Sequence, residues 1–205
     1  MMKRIMWLFL LAVALPMTAL ASSIEFTNSG GTLSGSSTGL SLSGSTLVLD
    51  GTITGMNLGS VAFSTAGVTS GSLQNGGTFA SGGTFTITGN GMNGVHNGAI
   101  FTGSFSGPAT WTLITLADGT HNYQLSGSLT GTWFTGATVN GATVELTTNV
   151  GKGFFSGSAT LGSGDTDIST SSGPTGGTVP EPGTWTLLGS GLVGLAGMAR
   201  RKLKA

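Results

Sequence analysis

The chain has 205 residues, no cysteine, and seven basic against seven acidic side chains, giving a formal net charge of zero. Lack of cysteine removes disulfides, thiolate nucleophiles and thiolate metal sites, so an exported domain of this composition must be held by packing alone. The charges are unevenly spread. Between Ser22 and Thr178 the acids are Glu25, Asp50, Asp118, Glu145, Asp165 and Asp167 and the only base is Lys152, a balance of 1 − 6 = −5. That excludes the basic patch a nucleic-acid partner would need.

Met1 to Ala21 has the three-part order of a secretory signal peptide. Lys3 and Arg4 form the positive region, Ile5 to Met17 the apolar region, and Ala19-Leu20-Ala21 the small-x-small cleavage site. Signal peptidase would then leave Ser22 as the mature N-terminus. The body that follows is exported and faces the periplasm or the outside.

The body, residues 22–159, is rich in Gly, Ser and Thr, yet nine Phe, two Trp and one Tyr lie in it at strand-like spacing. Leu125, Gly127, Leu129, Gly131 and Trp133 fall on one face of a period-two pattern, and Thr84–Thr88 and Thr110–Thr115 alternate too. No segment shows helical periodicity. Asn140-Gly141, between Ala137-Thr138-Val139 and Ala142-Thr143-Val144, is the strongest hairpin signal; Asp118-Gly119 and Asp50-Gly51 are weaker ones. Asn90-Gly91, Asn93-Gly94 and Asn97-Gly98 read as one irregular loop. An apolar, Ser/Thr, Gly, Ser pattern recurs at Leu33, Leu42, Phe101, Leu125 and Phe155 without a fixed period, which argues against a solenoid. The expected fold is all-β, an antiparallel sandwich or barrel-like body, with glycine at inward positions leaving room for large cross-strand neighbours. Residues 160–178, rich in Ser, Gly and Thr, read as a flexible linker.

Candidate chemistry in the body is sparse, and no catalytic constellation or cofactor site is expected. His96 and His121 are the only histidines. Asp118 stands three residues before His121, but an Asp-Gly turn explains it better than a dyad, and there is no G-x-S-x-G elbow. Gly162 to Ile168 faintly resembles one copy of a calcium-binding nonapeptide, too little to supply six oxygens, so no metal is expected. Glu25 and Glu145 are the only glutamates of the body, a formal glycosidase pair with nothing to bring them together. Trp111, Tyr123 and Trp133 could form a sugar-stacking platform, although alternating strand positions favour the core. The Thr-x-Thr runs at 52/54, 84/86/88 and 110/112 could present a flat hydroxyl-and-methyl face of the ice-binding kind, but threonine is simply a good strand residue.

The last residues carry the clearest signal. Val179-Pro180-Glu181-Pro182 is stiff and extended, because each proline locks φ and lacks an N–H. Residues 183–199 are uncharged and would span roughly 25 Å as a helix, the low end for crossing a membrane. Arg200, Arg201, Lys202 and Lys204 then form a basic stop suited to the cytoplasmic side. This order closely resembles the PEP-CTERM sorting tail of exported proteins in Gram-negative bacteria that make extracellular polysaccharide. The resemblance implies that Val179, Pro180, Glu181 and Pro182 are recognised by exosortase, a membrane cysteine transpeptidase. It implies passage through the inner membrane to the surface or medium. A structural or adhesive role in exopolysaccharide or biofilm follows as the expected function, with a secreted carbohydrate-binding module as the alternative.

Overall fold

The computed structural model describes residues 23–169. The signal segment and the tail, with their expected helices, lie outside them. Thirteen strands link into one antiparallel sheet that closes as an eight-stranded barrel. Of the two architectures expected, the barrel is the one found.

Several strands are halves of one longer course. The courses run up and down in chain order: β1–β2 (Ser23–Ser29, Thr32–Ser36), β3 (Gly39–Asp50), β4–β5 (Ile53–Ser64, Val68–Ser72), β6–β7 (Gly76–Phe79, Gly82–Asn90). They continue through β8–β9 (Asn97–Phe105, Ala109–Thr115), β10 (His121–Trp133), β11 (Thr138–Asn149) and β12–β13 (Ser158–Thr160, Ser163–Ser169). Register shows the continuity: Ser29 faces Ser163 and Thr32 faces Thr160, so pairing passes the Gly30-Gly31 kink without a slip. β13 closes the ring, setting its Ser169 opposite Ser23 on β1 and its Ile168 opposite Ala142 on β11. The Ser/Gly/Thr-rich stretch expected to begin the linker is therefore, over Ser163–Ser169, a barrel strand. Its alternation of Gly164, Thr166 and Ile168 inward with Asp165 and Asp167 outward is that of a wall strand rather than a spacer.

Kinks fall where the ladder can be interrupted. Gly31 takes φ 83°, and a Cβ there would lie 2.5 Å from the Ser45 backbone nitrogen, so only glycine fits. Pro108, without an N–H, sits in the break between β8 and β9. Beyond these kinks the ring parts into two arms: β5 pairs only with β6, and β12 only with β2. The Val68 N–H to Ser37 carbonyl bond (3.4 Å) and the Thr148 hydroxyl to Thr160 carbonyl bond (2.6 Å) bridge the gap.

Side chains fill the interior, as expected for eight strands. Phe85 lies among Phe63, Phe101 and Phe105, with ring centroids 6.1–6.4 Å apart. Toward the parted end Trp111 stacks on Tyr123 at 5.1 Å, with Phe155 edge-on at 5.5 Å. The polar tips of that group are satisfied, Trp111 donating to the Leu73 carbonyl (2.9 Å) and Tyr123 to the Gln74 carbonyl (2.5 Å). The expected glycine vacancies are real. A Cβ on Gly127 would meet the Phe105 ring at 2.8 Å, and one on Gly131 the Phe101 ring at 2.9 Å. Outward positions carry mostly Ser, Thr and Asn, the reverse of a membrane-spanning barrel, which turns its apolar band outside.

Two buried groups break this pattern of satisfaction. Asn28 donates to the Ser45 hydroxyl (2.6 Å), but Asn28 Oδ1 and the Thr166 hydroxyl have no partner. A buried hydroxyl without a partner costs about 1–3 kcal/mol in lost hydration. Thr166→Val keeps the shape and removes the group, so it should stabilise the barrel by about 1 kcal/mol, raising the melting temperature by roughly 3 °C. Thermal unfolding followed by circular dichroism tests this, and a lower melting point would show that the hydroxyl is bonded after all.

The turns follow the sequence in part. Asp50-Gly51 turns β3 into β4 with Gly51 at φ 60°, and Asp118-Gly119 closes the β9–β10 hairpin with Gly119 at φ 79°. Of the Asn-Gly pairs expected in one irregular loop, only Asn93-Gly94 lies wholly in the connection, in a 3-10 turn at Met92–Gly94. Asn90 ends β7 and Asn97-Gly98 opens β8, with Asn90 paired to Asn97. Asn140-Gly141 departs from expectation. It lies inside β11, where the ladder slips between Leu129–Ala142 and Gly131–Val139, so it makes a bulge and not a hairpin. The turn comes earlier, at Phe134–Gly136, closed by the Gly136 N–H on the Trp133 carbonyl at 2.8 Å.

Candidate functional site

The barrel separates the residues singled out in the sequence. His96 stacks on Phe134 with centroids 4.4 Å apart at the end of the barrel that carries Ser23 and Ser169. His121 stacks on Phe154 at 4.6 Å at the other end, and its Nδ1 donates to the Gly153 carbonyl (2.8 Å). They stand at opposite ends of the barrel. Asp118 does not face His121: its carboxylate accepts from the Thr120 N–H (2.9 Å) and hydroxyl (2.8 Å). These bonds hold the Asp118 carboxyl below its ordinary value, the backbone bond first and the hydroxyl second. The sign is that of a depressed acid, so its contribution is present above the ordinary aspartate range and lost as pH falls through the folded value. Asp118→Ala should therefore lower the melting temperature at neutral pH and leave it unchanged in acid, a comparison that two melts provide.

The aromatic platform is corrected. Trp111 and Tyr123 are buried and Trp133 is 9% exposed, because all three point inward from β9 and β10. They serve the core. Among the described residues the exposed large aromatics are Phe134 and Phe154, each already covered on one side by histidine.

Closure of the sheet brings together what the sequence kept apart. Glu25 on β1, Asp165 and Asp167 on β13, and Glu145 on β11 line one shallow concavity of the outer wall. Glu25 is directly opposite Asp167, and Glu145 directly opposite Asp165. Thr27 donates to Asp165 (2.9 Å) and Gln124 to Glu145 (2.6 Å). The signal that could have found this group was the Asp-x-Asp spacing at 165 and 167, which puts both acids on one face of a strand. Among the described residues no three acids or histidines are placed to hold a metal ion. Like charges directly across a ladder destabilise it by about 0.2–1 kcal/mol. Asp167→Asn should thus stabilise by about 0.5 kcal/mol at low salt, and the gain should fade above 0.5 M salt as screening takes over. Melting curves at two ionic strengths check it.

Asp50, near His96, has its carboxyl pushed up by partial burial, and the histidine pulls it partly back. This is a local effect of the β3–β4 turn and builds no reactive pair.

The tail decides what can be said of function. Residues 178–202 match the family model of the PEP-CTERM protein-sorting motif. The chain carries a PEP-CTERM tail. No curated protein and no solved structure matches the chain, so the barrel has no recognised family. A PEP-CTERM tail implies exosortase-dependent export to the cell surface, with membrane-anchored processing at the C-terminus. Val179, Pro180, Glu181 and Pro182, the basic stop Arg200, Arg201, Lys202 and Lys204, and the cleavage residues Ala19, Ala21 and Ser22 all lie outside the described residues. Among those described, no helix is long and apolar enough to cross a membrane, and the segment expected to do so, 183–199, is not one of them.

Proposed function

We propose that this chain is a surface or matrix protein whose barrel acts through its outer wall and not through catalysis. Signal peptidase removes residues 1–21. The uncharged segment 183–199 then holds the protein in the inner membrane, barrel outside and Arg200 to Lys204 in the cytoplasm. Exosortase recognises Pro180-Glu181-Pro182 and releases the barrel toward extracellular polysaccharide, where its role is structural or adhesive.

One observation carries the reading: a PEP-CTERM tail is joined to a barrel that closes upon itself within Ser23–Ser169. A self-closed body can travel as a unit. Its wall of Ser, Thr and Asn hydroxyls and amides offers many weak hydrogen bonds of the kind a hydrated polysaccharide exchanges with water. Its filled interior leaves the wall as the working surface. Sugar binding through Trp111, Tyr123 and Trp133 is not retained, since the core holds them.

Co-sedimentation of residues 22–171 with exopolysaccharide from the native host tests the role. Retention that survives high salt is expected, because hydroxyl contacts are not screened. A barrel that stays in the supernatant at every salt concentration would remove the matrix role and leave the sorting reading intact.

A further inference from the structure

Among the described residues exposed large hydrophobic side chains are few, and half of them gather at one end of the barrel. Met56 is 96% exposed, Met92 59% and Phe134 46%. Met56 follows the β3–β4 turn, Met92 lies in the β7–β8 connection and Phe134 in the β10–β11 turn. Contacts tie these loops together. A Cβ on Gly55 would lie 3.4 Å from the Asn93 amide, and one on Gly94 3.8 Å from Ile53, while His96 stacks on Phe134. This is also the end at which Ser23 and Ser169 face each other, so the chain enters and leaves the barrel there.

Its charge is low. The three loops contain one acid, Asp50, and one histidine, His96. The acids Glu25, Glu145, Asp165 and Asp167 belong to β1, β11 and β13. Glu25 and Asp167 face each other near this end, where the Gly51 N–H donates to the Glu25 carbonyl, whereas β7 lies across the ring from β13. Thirteen residues, 170–182, separate the last described strand from the uncharged segment 183–199. Their number limits the reach to at most about 45 Å.

We propose that this end of the barrel, through Met56, Met92 and Phe134, docks on the outer face of the lipid bilayer that holds the tail. The inference rests on the reading of 183–199 as a membrane segment. Flexible methionines and an aromatic ring suit the disordered boundary between headgroups and acyl chains. Three side chains make a weak anchor alone. A short tether raises the local lipid concentration to the millimolar range, at which weak contacts become populated. The acidic side of the wall stays in water, so the barrel leans onto its β4–β10 side. Release of the tail ends the tethering and lets the end go, so docking belongs to the uncut form.

The chain has no cysteine, so single cysteines report cleanly. The full chain from Ser22 to Ala205, in vesicles of phosphatidylethanolamine and phosphatidylglycerol, would carry an environment-sensitive fluorophore at Phe134→Cys, Phe154→Cys or Leu192→Cys. Lipids spin-labelled near the headgroup are the quencher. Quenching of at least twofold is expected at position 134 and none at 154, with position 192 quenched by deeper labels. Met56→Glu with Met92→Glu should halve the quenching at 134 while leaving 192 unchanged. Quenching at 192 without any at 134 overturns docking and leaves the sorting reading standing. No quenching at 192 overturns both. Disulfide formation between two Phe134→Cys chains, without lipid quenching, would assign the patch to self-association instead.

Discussion

Phe85→Ala should destabilise the barrel by about 4 kcal/mol, lowering its melting temperature by roughly 12 °C. Phe85 is fully buried and packs among the rings of Phe63 from β4 and of Phe101 and Phe105 from β8, the strands on either side of its own. Removing it leaves a cavity that a closed barrel cannot collapse, because each wall strand is fixed by hydrogen bonds on both sides. The loss is therefore transfer free energy plus most of the cavity cost. Phe154→Ala is the control. That ring is half exposed at the opposite end, and its removal should change stability by less than about 0.5 kcal/mol. Urea unfolding of the two variants separates them. Equal midpoints would mean that the Phe85 cluster does not form the centre of the core.

Gly131→Ala should cost about 3 kcal/mol for a single methyl group, or roughly 10 °C in melting temperature. Gly131 on β10 faces Gly103 on β8, and the two backbones approach closely at this pair. A Cβ on Gly131 would lie 2.3 Å from the Thr102 carbonyl oxygen and 2.6 Å from Gly103 Cα. Both neighbours are backbone, so relief requires the strands to separate at a point where the ring has to stay closed. Gly107→Ala adds the same methyl group where nothing lies within 4 Å, and it should melt with the parent. A Gly131→Ala protein as stable as the parent would show that β8 and β10 are not in this register.

These two residues also show how far the sequence reaches. The alternation Leu125, Gly127, Leu129, Gly131, Trp133 announces a strand, its inward face and room for a ring opposite, and each is found. Local pattern is enough there because burial on one face imposes period two. Which strands meet is another matter. β1 and β13 pair across 146 positions at Ser23 and Ser169, and no local feature of either names the other. That closure decides between sandwich and barrel and makes Ser163–Ser169 a wall strand in spite of its linker-like composition. It also brings Glu25 beside Asp167. Asn140-Gly141 misleads for a related reason: the dipeptide permits a tight turn, but it permits a bulge equally, and pairing of β11 to both β10 and β13 selects the bulge. The tail is the opposite case. Its motif is a linear signal meant to be read as sequence, so it is legible without a fold.

The intact mass of the protein from its native host, in inner membrane, matrix and medium, tests most directly whether the tail is a sorting device that delivers the barrel. Loss of residues 1–21 and of the segment after Pro182, with the product outside the inner membrane, is the expected result. A chain retaining its full C-terminus, found only in the inner membrane, would contradict it and leave an anchored barrel whose Pro180-Glu181-Pro182 is never read.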